Sequence, residues 1–86
     1  FKTNPMTIEE KIKCMERVDM LIKLKATGPP KKMSSRLEIS ESSLYQLLNK
    51  MKKLGAPIFY SFAHQSYCYK YDVTFSFGFK PVEKAG

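Results

Sequence analysis

The sequence predicts an α+β fold in which three helices are followed by a β-hairpin. Up to Leu54, apolar residues recur at helical spacing, whereas the segments GAPIFYSF and SYCYKY that follow are rich in aromatic residues, which favour strands. With 86 residues the chain can hold one small domain with a modest core. We expect this domain to span residues 1–72 and a C-terminal strand or tail to span residues 73–86.

Helix 1 is predicted from about Ile8 to Ala26. Thr7 and Glu10 have the spacing of a capping box, in which each side chain binds a backbone amide of the other residue. After them, Ile8, Ile12, Met15, Val18 and Ile22 recur on one helix face. Gly28 and the two prolines that follow it interrupt the helical pattern.

The run from Lys31 to Leu54 has the spacing of a helix-turn-helix, with helix 2 at about Pro30 to Leu37 and helix 3 at Glu41 to Leu54. Ser34 is small enough for a close helix crossing, and Ser40 is a suitable N-cap for helix 3. The inner face of helix 3 is predicted to consist of Leu44, Leu47, Leu48 and Met51.

A family likeness is found in three stretches of the chain, which are RVDMLIKLKATG, SSRLEISESSLYQLLNKMKKLGAPIFY and QSYCYKY. In them the chain resembles the winged helix-turn-helix domain of DeoR-like and biotin-repressor-like bacterial regulators, over about Arg17 to Tyr71. The resemblance implies a three-helix winged helix-turn-helix with a C-terminal hairpin wing, and transcription regulation by DNA binding in the cytoplasm, at the nucleoid. Two departures stand out: Glu38 replaces the usual turn glycine, and the hairpin tip SFAHQS lacks Arg and Lys.

If helix 3 enters the major groove, its outward residues near the N-terminus are candidate base readers. The amides of Gln46 and Asn49 match the N6 and N7 atoms of adenine. The alternative is that these residues form an ordinary solvated helix face, and for Tyr45 that it packs against the wing. The candidate set is Ser42, Ser43, Tyr45, Gln46 and Asn49.

The net charge of +7, from 15 Lys and Arg against 8 acidic residues, favours a polyanionic partner such as double-stranded DNA. Since only Arg17 and Arg36 are arginines, the balance suits phosphate contact better than guanine readout. A solvated charged face is the alternative. The candidate phosphate contacts are Lys31, Lys32, Arg36, Lys50 and Lys53.

Enzymatic motifs are absent from the sequence, and a single histidine leaves no obvious acid–base pair. Cys14, His64 and Cys68 lack the spacing of a metal site, so we expect no metal, no cofactor and two free thiols. No apolar run is long enough to span a bilayer, which predicts no membrane partner.

In the tail, Val73, Phe75, Phe77 and Phe79 alternate with small or polar residues, which predicts a strand with one apolar face. That face either packs on the domain or forms a homodimer interface. An alternative function for the whole chain is a protein-interaction module on a winged-helix scaffold. Its aromatic partner surface would consist of Tyr60, Phe62, Tyr67, Tyr69 and Tyr71.

Overall fold

The computed structural model describes residues 6–79 and 81–82. Within these residues, three helices precede a two-stranded antiparallel hairpin, which confirms the α+β winged helix-turn-helix layout. The elements are α1 (Ile8–Lys23), α2 (Pro30–Leu37), α3 (Glu41–Lys53), β1 (Ile58–Ser61) and β2 (Ser66–Tyr69). We call the hairpin from Ile58 to Tyr69 the wing.

The first helix begins as predicted and ends earlier. At its start the Glu10 amide donates to Thr7 Oγ1 over 3.2 Å, and the Thr7 amide donates to Glu10 Oε1 over 3.0 Å. The predicted end at Ala26 is wrong, because Lys25 adopts a left-handed φ of 53°. The Lys25 and Ala26 amides then turn back onto the carbonyls of the last helical turn, at 3.0 and 2.9 Å.

The turn between α2 and α3 places a glutamate in left-handed backbone. Glu38 has φ 57° and ψ 41°, and its amide donates to the Ser35 carbonyl over 3.1 Å. Ile39 closes the same motif with a 3.0 Å bond to the Ser34 carbonyl. Ser40 then caps α3, since its Oγ accepts from the Ser43 amide over 3.1 Å. The predicted N-cap is confirmed.

The third helix ends at Lys53, one residue before the predicted Leu54, which serves as its C-cap. Gly55 follows in a left-handed conformation, φ 108°, and the Ala56 amide donates to the Met51 carbonyl over 3.0 Å. A residue with a Cβ would be strained at this φ, so glycine is the natural residue here.

One hydrophobic core lies between the three helices and the wing. It includes the whole predicted inner face of α3, which confirms the helical periodicity. Ser34 is also buried, as expected at a close helix crossing. The core residues are Cys14, Met15, Val18, Ile22, Met33, Leu37, Leu44, Leu47, Leu48, Met51, Ile58 and Tyr67.

The wing pairs Ile58 with Tyr69 and Tyr60 with Tyr67, and Gln65 supplies a left-handed φ of 49° in its turn. The free edge of β2 faces the loop after α1. There the Tyr67 amide donates to Thr27 Oγ1 over 2.8 Å. The Thr27 amide donates in turn to Ser66 Oγ over 3.2 Å, so a buried hydroxyl pair joins this loop to the wing.

The predicted strand in the tail is wrong for the residues that the structure describes, where no strand follows Tyr69. Val73 and Phe75 are half-buried beside the end of α3, whereas Phe77 and Phe79 are exposed. A strand requires a neighbouring backbone to pair with, and β2 already lies between β1 and the Thr27 loop. The tail therefore packs on the domain only in its first part, at Val73 and Phe75.

Candidate nucleic-acid interface

Four polar side chains form one exposed line along α3, which we call the α3 stripe: Ser42, Gln46, Asn49 and Lys53. At about 100° per residue these positions fall within an arc of about 60°. All four are exposed, and the opposite face of the helix is buried in the core. The stripe includes three of the predicted base readers and one predicted phosphate contact.

Tyr45 and Lys50 lie on opposite flanks of the α3 stripe, and both are exposed. Tyr45 is on the side of the wing. Burial raises the pKa of Tyr67 above its ordinary value, and the nearby hydroxyls of Tyr45 and Tyr60 raise it further. The Tyr45 hydroxyl therefore lies close to the wing while its ring stays 47% exposed.

Ser43 differs from the other predicted base readers because it is half-buried. Its backbone amide donates to Ser40 Oγ, and its own Oγ accepts from the same Ser40 hydroxyl over 3.0 Å. The Ser43 side chain is thus part of the N-cap of α3 rather than of the α3 stripe.

Two of the predicted phosphate contacts, Lys31 and Lys32, are exposed in the first turn of α2. Gly28, at a left-handed φ of 70°, leaves space for the Lys32 stem, since a Cβ there would stand 3.0 Å from Lys32 Cδ. The aliphatic part of Lys32 therefore lies close to Gly28, where a residue with a Cβ would push against it.

Arg36 has structural hydrogen bonds in addition to its predicted phosphate contact. Its Nη1 donates to the Ala26 carbonyl over 2.8 Å, and its own carbonyl accepts from Arg17 Nη2 over 3.1 Å. These bonds connect α2 to α1 and to the loop after it. The guanidinium has five N–H donors, so this arrangement leaves others for an anion.

Two cations of α1 that are not among the predicted contacts lie beside the helix-turn-helix. Lys13 and Arg17 line an open groove between α1 and the turn of the helix-turn-helix. Their spacing of four residues puts them on one helix face, which is the signal that could have identified them. Lys31 lines the same groove, as do the acidic residues Glu10, Glu38 and Glu41.

The wing carries aromatic and hydroxyl groups and no Lys, Arg, Asp or Glu. Tyr60 makes edge-to-face contacts with Tyr67, at 5.0 Å between ring centroids, and with Phe62, at 5.1 Å. At the turn, Ser61 Oγ lies 3.0 Å from His64 Nδ1 and accepts from the His64 amide. Phe62 itself is 85% exposed.

Three of the five residues predicted to form the aromatic partner surface of an interaction module are not exposed. Tyr67 is buried in the core, and Tyr60 and Tyr69 are half-buried. The Tyr69 hydroxyl is already bound, because it donates to Asp19 Oδ1 over 2.7 Å. Of the five predicted members, Phe62 and Tyr71 are exposed. The expected surface is wrong in this respect, because the inner face of the wing is needed to close the core.

Both cysteines are buried and free of disulfides. Burial raises the pKa of the Cys14 thiol, and the nearby Arg17 guanidinium opposes this to a smaller extent. A thiol in such surroundings stays protonated and is a poor nucleophile. The described part of the chain contains no group of three or more His, Cys, Asp or Glu arranged to hold a metal ion.

None of the helices in residues 6–79 combines the length and the apolar character needed to cross a membrane. Comparison of the chain with protein-family models, with curated proteins and with solved structures gave no match.

Proposed function

We propose that this chain is a DNA-binding protein that reads the major groove with α3, as a bacterial transcription regulator similar to the DeoR-like and biotin-repressor-like proteins would. The observation that carries the proposal is the α3 stripe, a line of exposed hydrogen-bonding side chains on the second helix of a helix-turn-helix. That is the element which such motifs insert into the groove.

The stripe combines two kinds of contact. Gln46 and Asn49 are exposed and one turn apart, so both amides can face base edges, and each is suited to the N6 and N7 atoms of adenine. Ser42 and Tyr45 extend the reading surface toward the helix N-terminus and the wing. Lys53 continues the same line toward a phosphate.

Cations on two elements would fix the register on the duplex. Lys31 and Lys32 lie on the first turn of α2, and Lys50 and Lys53 on the last turns of α3. The net charge of +7 adds a sequence-independent attraction to DNA, which weakens as salt rises. In this proposal Arg36 has a mainly structural role through its bond to Ala26, with a phosphate as an additional partner.

Two further features belong to the proposal. The protein would act in the bacterial cytoplasm at the nucleoid. It would also pair as a homodimer through the tail, where Phe77 and Phe79 are exposed, because two-fold pairing lets two α3 helices read two half-sites.

The decisive experiment measures fluorescence anisotropy of labelled duplex pools against salt. The amide variant Gln46→Ala/Asn49→Ala should keep the salt dependence and lose the sequence preference, because it removes base contacts alone. The charge variant Lys31→Ala/Lys32→Ala should weaken binding to every sequence and reduce the salt slope by about 2 if both lysines contact phosphate.

The matched control is Lys11→Ala/Lys70→Ala, which removes an equal number of charges, one from α1 and one from the residue after β2. This control should retain the salt slope of the unaltered protein. Absence of binding at low salt would contradict the DNA proposal and leave the interaction module as the better hypothesis. Binding with an unchanged preference in the amide variant would contradict base reading by α3.

A further inference from the structure

We propose that Phe62, at the tip of the wing, is an apolar wedge that enters a base step of DNA while α3 lies in the adjacent major groove. This rests on the proposed DNA binding and adds a contact of a different kind. The resemblance implies a cationic wing tip, which this chain does not have, since residues 58–69 include no Lys or Arg. The wing tip presents an aromatic ring instead.

The Phe62 ring is exposed to solvent and is held in place by a neighbouring ring. It is 85% exposed, so it contributes little to the core. It nevertheless meets Tyr60 edge-to-face at 5.1 Å, and Tyr60 meets the buried Tyr67 at 5.0 Å. A ring supported in this way loses less conformational entropy on binding than one on a free loop.

The same aromatic contacts lead back to the core beneath α3. Tyr67 belongs to the hydrophobic core that also contains the buried face of α3. A line of aromatic contacts therefore runs from this core to the wing tip, through Tyr67, Tyr60 and Phe62. A duplex held by α3 would have the wing beside it.

The electrostatics of the wing favour a nucleic acid as the occupant. No carboxylate lies between Ile58 and Tyr69 to repel phosphates, and the chain carries +7 overall. Proteins that contact the minor groove insert apolar side chains such as Phe and Leu between base steps, where they unstack the bases and bend the duplex. The free energy needed to unstack the bases and bend the duplex is lowest at flexible steps such as TpA.

The test uses a fluorescein-labelled duplex whose central TpA step carries 2-aminopurine in place of adenine. Anisotropy reports binding, and 2-aminopurine emission reports unstacking on the same sample. The unaltered protein should raise the emission severalfold at saturation. Phe62→Ala should abolish the rise and weaken binding about tenfold, in line with loss of one base–aromatic contact. The salt slope should stay the same because no phosphate contact is removed.

Phe62→Leu serves as the second variant, since an apolar wedge of another shape should retain part of the emission rise. Leu24→Ala is the matched control, because Leu24 is an exposed apolar residue at the end of α1 with no part in the proposed DNA contacts or pairing, and it should behave as the unaltered protein. Binding without any emission rise, or a rise that persists in Phe62→Ala, overturns the wedge and leaves DNA binding intact. Absence of binding at low salt overturns the proposed function and the wedge together.

Discussion

The Tyr69 hydroxyl of β2 donates a 2.7 Å hydrogen bond to the buried carboxylate of Asp19 on α1. Asp19 also forms a 3.0 Å ion pair with Lys23, one turn further along the helix. The bond joins the wing to the first helix across 50 residues of sequence. It therefore helps to hold the wing against the helical part of the domain.

Tyr69→Phe removes one partner of the buried Asp19 carboxylate. We expect the free energy of unfolding to fall by about 2 kcal/mol, the usual contribution of a hydrogen bond to a charged group. Urea denaturation followed by circular dichroism measures this. Tyr71→Phe is the control, because Tyr71 is exposed, and it should leave the midpoint unchanged. Equal midpoints for both variants would show that the Asp19 bond adds no stability.

We expect the free energy of unfolding to fall in alkaline solution because of the same residue, Tyr69. Burial, followed by the hydrogen bond to Asp19 and its negative charge, raises the pKa of Tyr69 above its ordinary value. Above about pH 10 the unfolded chain releases a phenolic proton that the folded chain retains, so folding loses stability as pH rises. The contribution is fully present below about pH 10. Urea midpoints measured from neutral to alkaline pH should fall less in Tyr69→Phe than in the unaltered protein, with Tyr67 accounting for part of the remaining fall.

The buried hydroxyl pair predicts coupled effects. Thr27→Val removes the acceptor of the Tyr67 amide and a neighbour of Ser66 Oγ, so we expect a loss of about 1 to 3 kcal/mol in unfolding free energy. Ser66→Ala removes the acceptor of the Thr27 amide. Because the two hydroxyls share one network, the double variant should lose less than the sum of the single variants. Additive losses in the double-mutant cycle would contradict this coupling. Thr74→Val is the exposed control.

Glu38→Gly should stabilise the fold by about 0.5 kcal/mol, because relief of the left-handed strain exceeds the added flexibility of glycine in the unfolded chain. Thermal unfolding measures the change. Glu16→Gly is the matched control, since it makes the same substitution at an exposed position inside α1 and should destabilise by about 1 kcal/mol. A loss of stability in Glu38→Gly would mean that the Glu38 side chain has an important contact.

The tail predicts the oligomeric state. If Phe77 and Phe79, which are exposed in the single chain, form the homodimer interface, Phe77→Ser/Phe79→Ser should be monomeric in sedimentation experiments, with a thermal midpoint that does not depend on protein concentration. Val73→Ser is the comparison, since Val73 is half-buried against the domain, and it should lower the midpoint instead. A monomeric unaltered protein, with and without duplex DNA, would contradict tail-mediated pairing.

Local signals in the sequence predict the helices and the turn well. The capping residues Thr7 and Ser40 and the buried face of α3 depend on contacts within one helix or on simple periodicity. The end of α1 does not follow from the sequence pattern, because Lys25 adopts a left-handed conformation that ordinarily favours glycine. Of the candidate site, the α3 stripe follows from helical spacing alone.

Contacts between residues far apart in the sequence could not be predicted from it. The Thr27–Ser66 pair joins residues 39 positions apart, and neither residue type signals such a partner. The tail has the alternation of a strand, but pairing depends on an available neighbour, which periodicity does not report. The burial of the wing aromatics depends on how the hairpin docks on the helices. The residue pattern along a strand does not report this docking, so the sequence predicts these side chains at the surface.

The loop at Thr27 has a consequence for how the chain behaves at high concentration. Because the Tyr67 amide is bound to Thr27 Oγ1, one amide on the outer edge of β2 is already occupied within the molecule, while the other edge pairs with β1. The outer edge of β1 is only four residues long, and Pro57, which has no amide hydrogen to donate, stands immediately before it. Short edges of this kind oppose the strand-to-strand growth that leads to fibrils, so the buried threonine also protects against aggregation.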